Sequence, residues 1–296
     1  MLNDQINYDI DLVKAILGPI VFFDLFEYPL TAFEIWNYLE KNIALEKIYF
    51  ILEQLVASSN LINEKNGFYF LVGREEIVTI RQKRYNYSCT KIKIAKKFSY
   101  LFSLMPFVKV VAVANFIGDH NLKEEGDIDF FIITASRRIW LSRLFCTGLA
   151  KLLNRRPTAQ KKKDRICLSF YVSEDHLNIF DLASFDQTIY LYYYLRGLMP
   201  IYNQNNIYSR FLIVNHVLSG NVVTDYSRHW LMIDWLEILA KNFQLKIMPL
   251  NLRQAINNSE GVYVSDSVLK FHLNDKRRYF TEKFNYNFNA ILQKIN

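Results

Sequence analysis

The chain has 296 residues, of which 51% are hydrophobic and 22% charged, and its formal net charge is +7. No stretch approaches the about 20 consecutive apolar residues that a membrane-spanning helix needs, and no basic, apolar leader opens the chain. The three cysteines have neither CxxC nor metal-ligand spacing, which is typical of reduced thiols, so we expect a soluble, cytoplasmic protein.

The charge is spread very unevenly along the chain. Residues 1–80 hold 5 Lys/Arg and 12 Asp/Glu, residues 81–163 hold 18 and 5, and the remainder is close to neutral. Such asymmetry predicts separate modules. With the elements described next, it suggests boundaries at 1–80, 81–180 and 181–296.

The acidic module is predicted to hold three helices and a β-hairpin. The first helix covers Val13–Glu27. A capping box, Thr31 to Glu34, opens the second, and the third runs from Leu45 to Ser58 with one apolar face. Asn66-Gly67 between two short apolar runs predicts a hairpin. This order is typical of a winged helix-turn-helix.

The charge of that module disfavours DNA binding. The third helix has two acids, Glu46 and Glu53, against the single base Lys47. DNA affinity depends on basic residues that neutralise phosphates. We therefore expect residues 1–80 to dock onto a protein partner or onto the basic module.

The basic module alternates helices and strands. Its predicted elements are a helix from Arg81 to Leu104, strands Val108–Ala114 and Asp127–Thr134, a helix Arg137–Asn154 and a strand Ile166–Val172. This alternation predicts an α+β fold, a small mixed sheet with helices on one face.

Asp127 and Asp129 begin the second of those strands. Residues two apart in a strand leave the same face, so both carboxylates point one way while Ile128 points the other. Mg²⁺ prefers one or two carboxylates together with substrate phosphates. The pair therefore predicts a magnesium site.

The order of strand, small-residue step and Asp-x-Asp in a second strand resembles the nucleotidyltransferase superfamily related to DNA polymerase β. Several short sequence segments are similar to those of a bacterial group of proteins that joins a winged helix to such a domain. They are Phe26-Glu27-Tyr28-Pro29-Leu30-Thr31, Gly67-Phe68-Tyr69-Phe70-Leu71, Pro106-Phe107-Val108, Trp140-Leu141-x-Arg143, Leu269-Lys270-Phe271-His272 and Asp275-Lys276-Arg277.

This resemblance implies a role for further positions. In the family a Gly-Ser step binds the triphosphate of a nucleoside triphosphate (NTP) at a helix N-terminus. Asn115 and Phe116 match that step here, and the phenylalanine lacks the phosphate-binding hydroxyl. The other positions that we assign to nucleotide binding are Gly118, Arg137 and Arg143.

The resemblance also calls for a third carboxylate from a later strand. The expected strand, Ile166–Val172, contains none. Asp164 and Asp181 flank it and are the candidates. His272 with Asp275 is a further candidate acid–base pair, although such a pair is more often structural.

Residues 137–163 contain the run Arg155-Arg156-Pro157-Thr158-Ala159-Gln160-Lys161-Lys162-Lys163. A flexible, solvated basic loop is the simplest interpretation. A nucleic-acid backbone or anionic lipid could also bind there.

The C-terminal region is predicted to be helical. Its helices are Phe185–Leu198, Ile207–Leu218, Ser227–Phe243 and Val268–Ile295. Their aromatic stripes at helical spacing indicate core packing.

The sequence thus favours a nucleotidyltransferase-like protein that moves a nucleoside monophosphate from NTP–Mg²⁺ to an unknown acceptor. Asp127 and Asp129 would be its catalytic metal ligands. Two alternatives stay open: an inactive binding or regulatory module with the same fold, and a nucleic-acid-binding protein that uses the basic module.

Overall fold

A computed structural model describes residues 10–39, 43–114, 120–158, 160–182, 188–220, 233–258 and 261–295. The chain divides into two compact units, residues 1–85 with 279–296 and residues 86–278. Both contain helices and strands, so the predicted α+β class is confirmed. Of the helices that the structure describes, none is long and apolar enough to cross a membrane.

The first unit contains the predicted three helices and hairpin. Its elements are α1 (Ile10–Asp24), β1 (Leu30–Thr31), α2 (Ala32–Tyr38), α3 (Leu45–Ser58), β2 (Ile62–Lys65), β3 (Phe68–Leu71), the start of α4 (Glu76–Ser103) and most of α10 (Arg277–Ile295). The strands form a sheet in the order β1-β3-β2. Asn66 and Gly67 have φ of 56° and 79°, as the tight turn between β2 and β3 requires.

One half-buried carboxylate, that of Glu34, links several parts of this unit. Glu34 completes the predicted capping box with Thr31 at the start of α2. Its two oxygens also accept hydrogen bonds from the Arg81 guanidinium, at 2.7 and 2.9 Å, and from the Tyr28 hydroxyl, at 2.7 Å. Arg81 lies over the rings of Tyr28 and Phe68, with 4.1 and 4.5 Å from Cζ to the ring centroids.

The second unit is built around a six-stranded mixed sheet in the order β7-β4-β5-β6-β9-β8. The strands are β4 (Val108–Val113), β5 (Ile128–Thr134), β6 (Ile166–Ser173), β7 (Met199–Asn203), β8 (Val262–Val264) and β9 (Val268–Phe271). Its helices, besides the rest of α4, are α5 (Ile139–Leu152), α6 (Thr188–Arg196), α7 (Ile207–Val214), α8 (Asp234–Lys246) and α9 (Leu250–Ala255). β5 and β6 are parallel, and the other neighbours are antiparallel.

Helices cover both faces of this sheet, so the expectation of helices on one face is wrong. Phe130 and Ile132 of β5 pack in a core with α4, α5 and α8. Phe131 and Ile133 pack in a second core with α6 and α7. A strand buried on both faces is apolar at nearly every position, which explains the continuous apolar run after Asp129.

The C-terminal third contributes three strands to this sheet and is not wholly helical. The predicted helix Val268–Ile295 is wrong at its start, because Val268–Phe271 pairs with β6 as β9 and the helix begins only at Arg277. β7 was not predicted, since Pro200 disfavours a strand. An edge strand tolerates proline, and β7 is at the edge.

β6 contains a bulge that changes which way its side chains point. Asp129 lies opposite Cys167, whereas Phe131 lies opposite Phe170, so β6 has one extra residue in between. Ser169 and Phe170 therefore lie on the same face of the sheet, although they are consecutive.

α8 packs on α5 through polar side chains. Glu237 accepts hydrogen bonds from the backbone N–H groups of Trp140 and Leu141, in the first turn of α5, at 2.7 and 3.0 Å. Gln244 donates to the Trp140 carbonyl at 2.8 Å. The opposite face of α8 is apolar, and its large side chains are each more than half exposed: Trp235, Ile238, Leu239, Phe243 and, just after the helix, Ile247.

Candidate metal and nucleotide site

The predicted carboxylate pair lies at the start of β5. Asp127 precedes Ile128, whose N–H donates to the Arg165 carbonyl at 2.8 Å, and Asp129 follows it. The Asp129 carbonyl accepts from Ala114, at the end of β4, at 2.9 Å. Ile128 is fully buried in one core, and both aspartates are half-buried on the other face, as the alternation predicts.

A thiol on the next strand joins the two carboxylates. Cys167 of β6 is the register partner of Asp129. One ligand atom from each of Asp127, Asp129 and Cys167 can be chosen so that all three lie within 4.8 Å of one another. Burial raises the pKa of Cys167 well above its usual value, and the charge of both aspartates and a hydrogen bond to Asp129 raise it further.

Beside the thiol lies a serine–histidine pair. The Cys167 Sγ donates to the Ser169 Oγ at 3.4 Å, and this oxygen is 2.5 Å from the Nε2 of His272, just after β9. Burial lowers the pKa of His272 to about 4, and the charges of Lys270 and Arg277 act in the same direction. The imidazole is therefore neutral at pH 7 and can accept the serine proton.

Asp275 does not form the predicted helical pair with His272, because residues 272–276 form a turn rather than a helix. Its carboxylate binds Lys270 and, at 2.9 and 3.1 Å, the Nε of Arg277. Burial opposes ionisation of Asp275, but Lys270 and Arg277 outweigh it and lower the pKa. This ion-pair network fixes the turn that carries His272.

Two tyrosines of α6 lie within electrostatic reach of the site. Burial raises the pKa of Tyr194 well above its usual value, and the charges of Tyr190 and Asp129 contribute. Burial likewise raises the pKa of Tyr190, again with a contribution from Asp129. The Tyr194 hydroxyl is buried and has no hydrogen-bond partner in the described part of the chain.

Neither candidate for a third carboxylate joins the group of ligand atoms. Asp164 pairs with the buried Lys91, with 2.8 Å between Oδ1 and Nζ, and Lys91 also donates to the Gly126 carbonyl at 2.6 Å. Asp181 lies beyond the far end of β6 and accepts from the Asn178 side chain at 2.9 Å. Among the described residues, the group consists of two aspartates and one cysteine.

The other predicted nucleotide-binding positions are not brought to the pair. Arg137 follows the far end of β5, about 20 Å along the strand. Arg143 donates to Gln244 at 2.6 Å and lies 4.4 Å over the Phe271 ring, in the core on the opposite face of the sheet. Asn115, Phe116 and Gly118 lie outside the described residues.

The sequence prediction missed Cys167 and Ser169, because the family resemblance calls for a carboxylate on β6. The signal in the sequence was their spacing, because residues 167 and 169 are two apart and so share one face of a strand. Comparisons with protein-family models, with curated proteins and with solved structures found no match.

Chemically, the arrangement offers a cation-binding group at the starts of two central strands, β5 and β6. Two carboxylates can hold a divalent ion and leave coordination positions for substrate oxygens. The residues present fit a magnesium ion in part, because the third donor atom nearby is a sulfur.

Proposed function

We propose that the chain is a nucleotidyltransferase-like protein of the superfamily related to DNA polymerase β, preceded by a winged-helix module and working in the cytoplasm. It would transfer a nucleoside monophosphate from an NTP to an acceptor hydroxyl. The single observation that supports this most is the position of Asp127 and Asp129. They lie on one face at the start of β5, beside the end of β4.

In this proposal the aspartates hold Mg²⁺ against the triphosphate. When bound, the ion would supply charge neutralisation for an in-line displacement, in which the acceptor hydroxyl gives its proton to a carboxylate of the pair, its oxygen bonds to the α-phosphorus and pyrophosphate leaves. The half-buried setting of Asp127 and Asp129 strengthens their attraction for a cation.

A catalytically inactive binding module is the second candidate, and a specific observation favours it. The group that contains Asp127 and Asp129 has no third carboxylate among the described residues. Such a protein would bind NTP–Mg²⁺ without turning it over.

Thermal stabilisation by each NTP, with and without Mg²⁺, tests the proposal. We expect Mg²⁺-dependent stabilisation of the wild type and its loss in Asp127→Asn/Asp129→Asn. The matched control is Glu124→Gln/Glu125→Gln, which removes the same two charges from residues that contact Lys163 at 2.7 and 3.1 Å.

Release of pyrophosphate then separates the two candidates. Stabilisation with turnover supports the transferase, and stabilisation without turnover supports the inactive module. No response to any NTP would overturn both. If the chain instead binds nucleic acid in a salt-sensitive way, the result would support the basic module as the functional surface.

A further inference from the structure

We infer that Cys167 is a protein ligand of the metal site, and that the site therefore prefers a thiophilic divalent ion of the Zn²⁺ class over Mg²⁺. Asp127, Asp129 and Cys167 offer two oxygens and one sulfur within 4.8 Å of one another. Three protein ligands with an open fourth position are typical of catalytic zinc sites. The inference rests on the proposed function only in placing a cation at this pair.

The chemistry of the three donor atoms explains the expected preference for Zn²⁺ over Mg²⁺. Mg²⁺ is a hard ion that binds oxygen and rarely accepts sulfur, whereas thiolates favour Zn²⁺ and related ions. Ligand atoms around tetrahedral zinc lie about 3.3–3.8 Å apart, given metal–ligand distances of about 2.0–2.3 Å. Side-chain shifts of about 1 Å would bring the three donor atoms to that spacing.

The backbone supports the same assignment. Asp129 and Cys167 are register partners on adjacent parallel strands, so their relative position is set by the sheet. Sites on such elements hold ligands more accurately than sites on loops. The thiol proton points to Ser169 Oγ at 3.4 Å, and a bound ion would displace that proton.

A buried tyrosine hydroxyl lies within electrostatic reach of the same site. The Tyr194 hydroxyl is buried without a hydrogen-bond partner among the described residues, and the charge of Asp129 reaches it. A buried hydroxyl without a partner is costly. A ligand bound beside Asp129 would offer one.

Ser169 and His272 would orient the sulfur. Ser169 Oγ lies 3.4 Å from Cys167 Sγ and 2.5 Å from His272 Nε2. Such outer-shell partners typically change metal affinity about 10–100-fold when removed. They are positioning residues, because they act through Cys167.

Titration of the metal-free full-length chain with Co²⁺, without nucleotide, tests the inference. Coordination by a thiolate gives a sulfur-to-cobalt charge-transfer absorption, which carboxylates do not give. We expect this absorption in the wild type and in the control Cys89→Ser, and its loss in Cys167→Ser. Zn²⁺ should displace the cobalt, and a large excess of Mg²⁺ should not.

Two further variants sharpen the assignment. Cys167→Asp should lose the absorption and gain affinity for Mg²⁺, because the site then has three carboxylates. Ser169→Ala should keep the absorption but bind Zn²⁺ at least about tenfold more weakly. Circular dichroism shows whether each variant is folded. The cobalt absorption of the wild type tests the inference even if a variant does not fold.

Absence of the absorption in the folded wild type, or its persistence in Cys167→Ser, would overturn the inference. The test of the proposed function is independent of this one. Stabilisation by NTP–Mg²⁺ without thiolate ligation would support the transferase alone. Thiolate ligation without any response to NTP would support the metal site alone.

Discussion

At the scale of single residues, Glu34 is the most heavily used side chain of the first unit. It caps α2 and accepts hydrogen bonds from Arg81 and Tyr28. Glu34 and Arg81 are only 15% and 16% exposed. Breaking a buried pair leaves the remaining charge without compensation, so both partners depend on each other.

Replacement of Glu34 by Gln should lower the free energy of unfolding by about 2–3 kcal/mol, since Arg81 loses its bidentate partner. Glu75→Gln is the matched control, because Glu75 pairs with Lys65 at the surface. The Glu75 side chain is 64% exposed and that of Lys65 48%. Exposed pairs contribute about 0–1 kcal/mol. Urea denaturation measures both, and equal losses would contradict the argument.

The same carboxylate predicts an acid-sensitive first unit. Burial alone would raise the pKa of Glu34, but its bonds to Arg81, Thr31 and Tyr28 lower it below the usual value. Its stabilisation is therefore complete above the unfolded pKa of about 4.3 and is lost as the pH falls through the lower, folded pKa. Melting temperatures of wild type and Glu34→Gln should converge below that range.

The candidate site could be predicted from sequence only in part. Asp127 and Asp129 were predictable because their spacing sets a shared face within one strand. The contribution of Cys167 depends on its register with β5, 38 residues away in sequence. Register between distant strands is set by packing, which a local pattern does not contain.

At the scale of elements, α8 caps another helix with its polar face. Arg138, at the N-cap of α5, makes no side-chain capping bond, and Glu237 satisfies two N–H groups of the first turn in its place. Negative charge at a helix N-terminus is also favourable. The polar face of α8 is thus the face that stabilises the fold, through its contacts with α5.

Glu237→Leu should therefore lower the free energy of unfolding by about 2–3 kcal/mol, because two buried N–H groups lose their acceptor. Its neighbour Ile238 is 58% exposed, and Ile238→Gln should change stability by less than about 0.5 kcal/mol. Denaturation of unit 2, followed by tryptophan fluorescence, compares them. A larger loss for Ile238→Gln would show that the exposed face is packed.

Local patterns predicted the elements of the first unit well. The capping box, the apolar face of α3 and the Asn66-Gly67 turn each act over a few residues. β8 and β9 gave no such signal. They pair with each other and, through β9, with β6, about 100 residues earlier in the chain.

At the scale of the whole molecule, the three thiols differ in access. Cys146 is fully buried, and burial raises its pKa. Burial and the aspartates raise that of Cys167, whereas Cys89 is half-buried on α4. Since the thiolate is the reactive form, the fold protects two of the three.

Alkylation at neutral pH should accordingly modify Cys89 first in the native chain, and all three cysteines in denaturant. Mass spectrometry of the labelled peptides measures the order. Labelling of Cys167 as fast as Cys89 would mean that its sulfur is an exposed thiolate, contrary to the structure.

The extra residue in β6 has a consequence for length variants. It separates the strand into a polar half, which holds Cys167 and Ser169, and an apolar half from Phe170 onward, and each half keeps its own register with β5. Deleting Leu168 would remove the extra residue and make the pairing with β5 continuous, so that Cys167 stays opposite Asp129 while Ser169 falls opposite Phe130 and turns toward the opposite core. A one-residue deletion in β6 should therefore move Ser169 away from the thiol while Cys167 keeps its place opposite Asp129.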